Sequence, residues 1–126
     1  PLVIRQFNTI TTENALKAGP INPQPGVYNF GPADDLIEFG EKHEMFIVGH
    51  TLVWHNQTPA WFFMDEQGNP NRPEDQIERM RNHIETVAGR YAGRIHAWDV
   101  VNEVIADDGS YRPTSWSKAL EAVRNS

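Results

Sequence analysis

The 126-residue chain contains no cysteine, and this absence removes several kinds of chemistry. Disulfide bonds, thiol catalysis and zinc sites with Cys ligands are all excluded. Long apolar runs are also missing: none approaches the ~20 residues that a membrane-spanning helix needs, so no membrane partner is expected. The chain is poor in positive charge, with 11 Lys+Arg against 17 Asp+Glu and a formal net charge of −6. Because phosphate binding requires a basic surface, no nucleic-acid partner is expected either.

The remaining composition is that of an ordinary globular protein. Hydrophobic residues make up 39% of the chain and charged residues 22%, which excludes extensive disorder and fibrous structure. Nine Pro and nine Gly indicate several stops between short elements. The sequence contains no internal repeat and no linker, so we expect residues 1–126 to form one structural unit.

Apolar patterning predicts three strands that alternate with helices. The strands are predicted over 3–10, 45–48 and 94–101, and the helices over 33–43, 73–91 and 113–123. The strand over 45–48 is expected to be buried on both faces. Loops are expected over 19–32, which is rich in Pro and Gly, and over 50–72. Strands that alternate with helices predict an α/β fold with a parallel sheet and right-handed crossovers.

Three strands leave two architectures open. A closed barrel needs about eight parallel strands, and a free sheet of this size would expose two edges. The chain is therefore either a small open α/β domain or a part of a larger barrel.

Polar side chains follow each of the predicted strands. Because the carboxyl ends of parallel strands meet at one edge of the sheet, these residues are predicted to form a site there. They are Glu13, Asn14 and Lys17 after the first strand, His50, Trp54 and Gln57 after the second, and Asn102 and Glu103 after the third.

Glu103 is the residue best placed to donate a proton. It follows an apolar strand and stands near a Trp, so we expect it to be shielded from water, which would raise the pKa of its carboxyl group. A Glu that caps a helix or forms a salt bridge is the alternative. Regular alternation would point Asn102 to the opposite face, so both reach one pocket only if the strand is irregular there. Asp99 is expected deeper on the inner face, with His50 or Arg5 as its partner.

The loop after the second strand suits a neutral polyol better than a metal. His50 and His55 stand five residues apart, which is not the helical spacing of a metal pair, so no metal ligands are assigned. Their imidazoles are suitable hydrogen-bond partners for hydroxyl groups. Trp54 and Trp61 belong either to the core or to an apolar platform for a sugar ring.

These residues resemble a known family. The run from His50 to Phe62 is similar to the third barrel strand and following loop of glycoside hydrolase family 10, the endo-β-1,4-xylanases. Trp98–Glu103 resembles the fourth strand of that family, Thr12–Asn14 with Lys17 the end of the second, and Gly26–Phe30 the loop after it. The resemblance implies a partial (β/α)₈ TIM barrel, with strands 2 to 4 in this chain. Residues 1–126 would then be the N-terminal portion of the catalytic domain.

The resemblance also implies roles for single residues. Glu103 matches the general acid/base. The implied sugar-binding residues are Asn102 at the 2-hydroxyl, His50, Trp54 and Gln57 on the non-reducing side of the cleavage point, and Glu13, Asn14 and Lys17 one subsite further out. No cofactor is implied.

One component of the family's retaining mechanism has no counterpart here. Retention needs a second carboxylate about 5–5.5 Å from the first, and the family supplies it from a later strand. We therefore expect the chain to be inactive alone, with the remainder of the barrel as a second chain or a missing segment. The alternatives are a non-catalytic fragment that binds xylan or xylo-oligosaccharides, and a glycosidase of another β-1,4-glycan. A polymeric substrate implies a secreted or periplasmic location.

Overall fold

The structure is a computed structural model that describes residues 2–126. Its helices are α1 (Leu2–Gln6), α2 (Ala18–Ile21), α3 (Gly31–Lys42), α4 (Pro73–Arg90) and α5 (Ser115–Arg124), with a 3₁₀ turn at Ala60–Phe62. Its strands are β1 (Thr9–Thr11), β2 (Phe46–Val53) and β3 (Ala97–Val101). β2 lies in the centre and pairs in parallel with both neighbours. The predicted parallel α/β sheet is confirmed.

The core lies between β2 and the helices α3 and α4 that pack on it. Ile47 of β2, Ile37 of α3 and Val87 of α4 are fully buried in it. Gly40 allows α3 to approach closely, because a Cβ at this position would lie 2.8 Å from the Ile47 side chain. The apolar stripe that predicted α4 is thus the face by which this helix covers the sheet.

The ends of α4 and α5 follow from local sequence. Pro73 starts α4 and acidic residues follow in the first turn, where they suit the positive end of the helix dipole. Thr114 caps α5: its hydroxyl accepts a hydrogen bond from the Ser117 N–H at 3.2 Å, and the Ser117 hydroxyl accepts one from the Thr114 N–H at 2.8 Å. This reciprocal pair is a capping box, which fixes where the helix begins.

The strand predicted over 3–10 is wrong in its first half. Leu2–Gln6 form α1, and only Thr9–Thr11 is a strand. Thr9 pairs with Phe46, the first residue of β2. Within residues 2–126, the segment before Thr9 therefore lies beyond the first residue of β2 and has no strand to pair with. A β-branched composition alone does not make a strand.

The second strand is longer and less buried than predicted. His50–Val53, placed in a loop by the sequence, continue β2 because β3 pairs with His50 and Val53. Burial on both faces is wrong at Phe46, which is 47% exposed and stacks on His96. The loop predicted over 19–32 is interrupted by α2 and ends where α3 begins at Gly31.

Apolar side chains at the end of β3 and in the segment after it are in contact with solvent. Val100, Val101, Val104 and Ile105 are all exposed. Along the part of the chain that the structure describes, no helix combines the length and the apolar character that crossing a membrane requires.

Candidate active site

Side chains from the ends of all three strands form a chain of contacts around Trp54. Its indole Nε1 donates to Glu103 Oε2 at 2.9 Å. The Lys17 ammonium lies 4.8 Å from the centre of the Trp54 ring and donates to Asn14 Oδ1 at 2.8 Å. The predicted gathering of these residues at the carboxyl edge of the sheet is observed, and Trp54 connects the lysine to the carboxylate.

The pairing of β2 with β3 is irregular near the end of β3, because β2 contains one extra residue there. The register between β2 and β3 shifts between His50 and Val53, and the Asn102 N–H donates to the Val53 carbonyl at 2.9 Å. Glu103 then adopts a left-handed backbone, with φ at +53°. Both residues line one cavity of about 400 Å³ together with Trp54, and this cavity extends along α5, where Trp116 and Leu120 line it. Left-handed non-glycine residues are strained, and they are concentrated at functional sites.

The Glu103 carboxylate is near the indole but is not shielded from water. Its side chain is 48% exposed, and His55 Nε2 lies 3.8 Å from Oε2. The expectation of a shielded carboxylate is wrong, because no strand in residues 2–126 lies beyond β3 to cover it. Of the two structural alternatives, helix capping is not observed, because Thr114 is the residue that caps α5. Within residues 2–126 no Lys or Arg pairs with this carboxylate, and His55 at 3.8 Å is its ion-pair partner.

His50 is held from both neighbouring strands. Its Nδ1 lies 2.9 Å from Asp99 Oδ2, so the predicted pair forms, although Asp99 is 51% exposed and not buried. On the other side, the buried Thr12 hydroxyl donates to the His50 carbonyl at 2.9 Å and accepts from its N–H at 3.0 Å. With Nδ1 engaged, Nε2 is the ring atom that remains for a ligand. No cluster of His, Cys, Asp or Glu suited to a metal ion occurs in residues 2–126.

Glu13 and Gln57 stand at the same edge but outside this chain of contacts. Gln57 has φ at +48°, and its carbonyl accepts from the Gly19 N–H at 2.6 Å, which joins α2 to the loop after β2. The Glu13 side chain is exposed and forms no hydrogen bond or ion pair with the other described residues. The structure therefore places both beside the site without joining their side chains to it.

The two candidate platforms separate into one site residue and one packing residue. Trp61 stacks on Phe62 at 3.9 Å between ring centres and donates to the Asn22 carbonyl at 3.2 Å. It belongs to the packing around the core. Trp54 lines the cavity at Glu103 and is the one of the pair that a ligand there could contact.

Some supporting contacts were not found from the sequence. Trp116 donates from Nε1 to the Trp54 carbonyl at 3.1 Å, and no spacing pattern signals a contact across 62 residues. Arg112 donates from Nε to the Glu103 carbonyl at 3.0 Å. A signal for the second existed: Asp108-Gly109 is a turn pair, which would have folded Arg112 back towards Glu103.

A parallel sheet with helices between its strands and polar groups at its carboxyl edge has the organisation of a βα-barrel enzyme. The sequence model of glycosyl hydrolase family 10 matches residues 1–122. The chain belongs to this family.

Individual relatives agree with this assignment. Endo-1,4-beta-xylanase A of Xylanibacter ruminicola is 44% identical over 114 residues, which are 90% of this chain and 31% of the relative. A family 10 endoxylanase from a sugarcane soil metagenome is 50% identical with a TM-score of 0.88, over 93% of this chain and 34% of its own. An intracellular xylanase of Thermoanaerobacterium saccharolyticum, whose mutant was solved with xylotetraose, is 36% identical with a TM-score of 0.89, over 94% of this chain and 39% of its own. The chain thus spans about a third of the length of these relatives.

Proposed function

We propose that this chain supplies the general acid/base of a retaining endo-β-1,4-xylanase, and that Glu103 is that residue. The observation that carries the proposal is the geometry at the end of β3. Glu103, which has a left-handed backbone, lines the cavity together with Trp54, and the Trp54 indole donates to its carboxylate at 2.9 Å. A carboxyl group fixed by one donor on one oxygen keeps the other oxygen for a substrate.

The reaction then has two steps. A nucleophilic carboxylate attacks the anomeric carbon while Glu103 gives its proton to the leaving glycosidic oxygen, and the C–O bond breaks. Glu103 next removes a proton from water, which attacks the anomeric carbon and releases the nucleophile. Glu103 ends protonated, as it began.

The nucleophile of this proposal lies outside residues 1–126. Besides Glu103, the only strand-end carboxylate in residues 2–126 is Glu13, which forms no hydrogen bond or ion pair with the other site residues. Asp99 lies within β3 and is held by His50. We accordingly propose that 1–126 are the N-terminal portion of a family 10 catalytic barrel, with its strands 2 to 4, and that the chain is inactive alone.

The remainder of the barrel is the partner that this proposal requires. The next barrel strand would pair along the free edge of β3, beside Val100 and Val101, which are now exposed. It would also reduce the exposure of the Glu103 carboxylate. Desolvation of this kind raises the pKa of a carboxyl group, which a general acid needs near neutral pH.

The proposed substrate is xylan or a xylo-oligosaccharide. Support comes from the names of the relatives, which are endo-xylanases, and from the xylotetraose bound to the Thermoanaerobacterium enzyme. The sugar-binding residues that we propose are Glu13, Asn14, Lys17, His50, Trp54, Gln57 and Asn102. Two of them are held in place by other residues, as hydrogen-bond donors to a sugar would need to be. Lys17 contacts Asn14 and Trp54, and His50 contacts Asp99. A secreted or periplasmic location is proposed from the polymeric substrate alone, and the Thermoanaerobacterium relative is described as intracellular.

The proposal is tested in a chimera, in which residues 1–126 replace the matched third of the sugarcane-soil endoxylanase. We expect the chimera to cleave internal bonds of xylan, which generates new reducing ends, and to retain the configuration of the anomeric carbon. We expect the chain alone to show no hydrolysis. Glu103→Ala should lower kcat/KM for xylotetraose by about 10²–10⁴-fold, the usual contribution of a general acid.

A second substrate makes this test specific for proton donation. An aryl xylobioside with a dinitrophenolate leaving group needs no proton, so Glu103→Ala should change its kcat/KM little. A chimera that melts cooperatively but shows no activity would refute the proposal. Activity on glucan or mannan and not on xylan would contradict the proposed substrate. Calorimetric binding of xylo-oligosaccharides with no hydrolysis in any complemented form would favour a binding fragment instead.

A further inference from the structure

The segment after Glu103 folds back on itself as a short hairpin. The Arg112 N–H donates to the Val104 carbonyl at 2.8 Å, and the Ala106 N–H donates to the Ser110 carbonyl at 2.8 Å. Gly109 provides the turn with φ at +83°, a conformation that glycine adopts without strain. The hairpin therefore returns the chain to Glu103 at Arg112.

The side chain of Arg112 closes the base of this hairpin. Its Nε donates to the Glu103 carbonyl at 3.0 Å, and its Nη2 reaches the Ile105 carbonyl at 3.4 Å. These are charge-assisted hydrogen bonds, which are stronger than neutral ones. The shorter of the two bonds goes to the carbonyl of Glu103, whose backbone is left-handed. Arg112 therefore stabilises a backbone conformation that is unfavourable for a non-glycine residue.

Arg112 is itself fixed to the start of α5. Its carbonyl accepts from the Ser117 hydroxyl at 3.0 Å, and Ser117 is half of the capping box with Thr114. A continuous set of hydrogen bonds thus runs from the first turn of α5 through Arg112 to the backbone of Glu103. The carboxylate is aligned at one end by Trp54 and the backbone at the other by Arg112.

We propose that Arg112 is a positioning residue for proton donation: its guanidinium holds the left-handed backbone of Glu103 so that the carboxyl group faces the scissile oxygen. This inference rests on the proposed function of Glu103. Arg112 donates to the peptide carbonyl of the acid and forms no ion pair with its carboxylate, so it acts on where the proton donor lies. Misplacement of a reacting group by about 1 Å can cost 10²-fold in rate.

The test uses the chimera and compares kcat/KM for xylotetraose and for the dinitrophenyl xylobioside. Both kcat/KM values report the first bond-breaking step, but only the leaving group of xylotetraose needs a proton. Arg112→Ala should lower kcat/KM for xylotetraose by roughly 10–100-fold and for the aryl substrate by less than about threefold. Arg112→Lys keeps one donor that can reach the Glu103 carbonyl, so it should recover part of the loss and guards against a variant that fails to fold.

Arg94→Ala is the matched control, since it breaks the Arg94–Glu41 ion pair at 2.8 Å on another part of the surface. It should leave the ratio of the two kcat/KM values unchanged. Equal loss on both substrates in the Arg112 variants would overturn the inference, because a stabilising or sugar-binding role acts on both. No loss on either would also overturn it. If Glu103→Ala lowers both substrates equally, the proposed function fails first, so the two failures are distinguishable.

Discussion

The buried imidazole of His83 makes the stability of this chain depend on pH within a defined window. His83 lies in α4 with 2% of its surface exposed, its Nδ1 is 3.2 Å from the Asn22 amide, and the edge of its ring meets the Phe62 ring. Burial disfavours the imidazolium and lowers the pKa of His83 from 6.5 to about 4. We expect the neutral form to persist in the folded chain well below the pH at which an unfolded chain binds a proton.

The sign of the effect follows from proton uptake. Between pH 6.5 and about 4 the unfolded chain binds a proton at position 83 and the folded chain does not. The free energy of unfolding is therefore highest above pH 6.5 and falls as the pH falls towards 4. At about 1.4 kcal/mol per pKa unit, the difference amounts to about 3 kcal/mol, which is a large part of the stability of a small domain.

Urea unfolding followed by tryptophan fluorescence measures this prediction. His83→Gln keeps a polar group opposite Asn22 but removes the titration, so its free energy of unfolding should fall less between pH 7 and pH 4 than that of the parent chain, by about 3 kcal/mol. Gln76→Met is the matched control. Gln76 is also buried in α4, where it donates to the Asn71 carbonyl at 2.9 Å, and its loss should lower stability equally at every pH. Parallel pH curves for the parent chain and His83→Gln would refute the reasoning.

Further predictions concern packing and charge. Gly49→Ala should destabilise by about 1–3 kcal/mol in urea unfolding, since the added methyl overlaps the Trp98 ring, and a loss below 0.5 kcal/mol would contradict this packing. Gly89→Ala, in α4 with open space around the new methyl, should instead stabilise by about 0.5 kcal/mol. Hydrogen bonds from Arg90 lower the pKa of Asp34, so Asp34→Asn should cost about 1 kcal/mol at pH 7. A lowered carboxyl pKa stabilises the folded chain fully only above the ordinary pKa of Asp, so the cost of Asp34→Asn should disappear as the pH falls through the lowered pKa. A cost that persists at that pH would indicate that packing, and not charge, is responsible.

Periodicity in the sequence identified the helices better than the strands. The stripe of α4 is long, and Pro73 marks its start, so both its type and its first residue were predictable. A strand depends on its partner. Val3 and Ile4 have the composition of a strand, but β1 begins only at Thr9, where Phe46 begins β2. The sequence of residues 3–10 does not indicate where Phe46 lies, so the start of β1 could not be deduced from that segment.

The site was predictable as a gathering of residues but not as a set of contacts. Parallel strands bring their carboxyl ends together, and this rule alone placed Lys17, Trp54 and Glu103 near one another. Exposure depends on what covers an edge, which explains why the expected shielding of Glu103 failed within this chain. Hydrogen bonds to backbone groups, such as that from Arg112, depend on the path of a loop, which apolar patterning does not describe.

The central and the edge residues of the site are held in different ways. His50 lies in β2 and is fixed on one side by the hydroxyl of Thr12, directly after β1, and on the other by Asp99 of β3, so both sides of its environment are present in this chain. Glu103 lies at the end of the outermost strand and is fixed by an indole and by the hairpin that follows it. Pairing along β3 would therefore alter the environment of Glu103 and leave that of His50 almost unchanged. It follows that the position of His50 is fixed by contacts within this chain, whereas the exposure of the Glu103 carboxylate depends on the neighbour that we propose for β3.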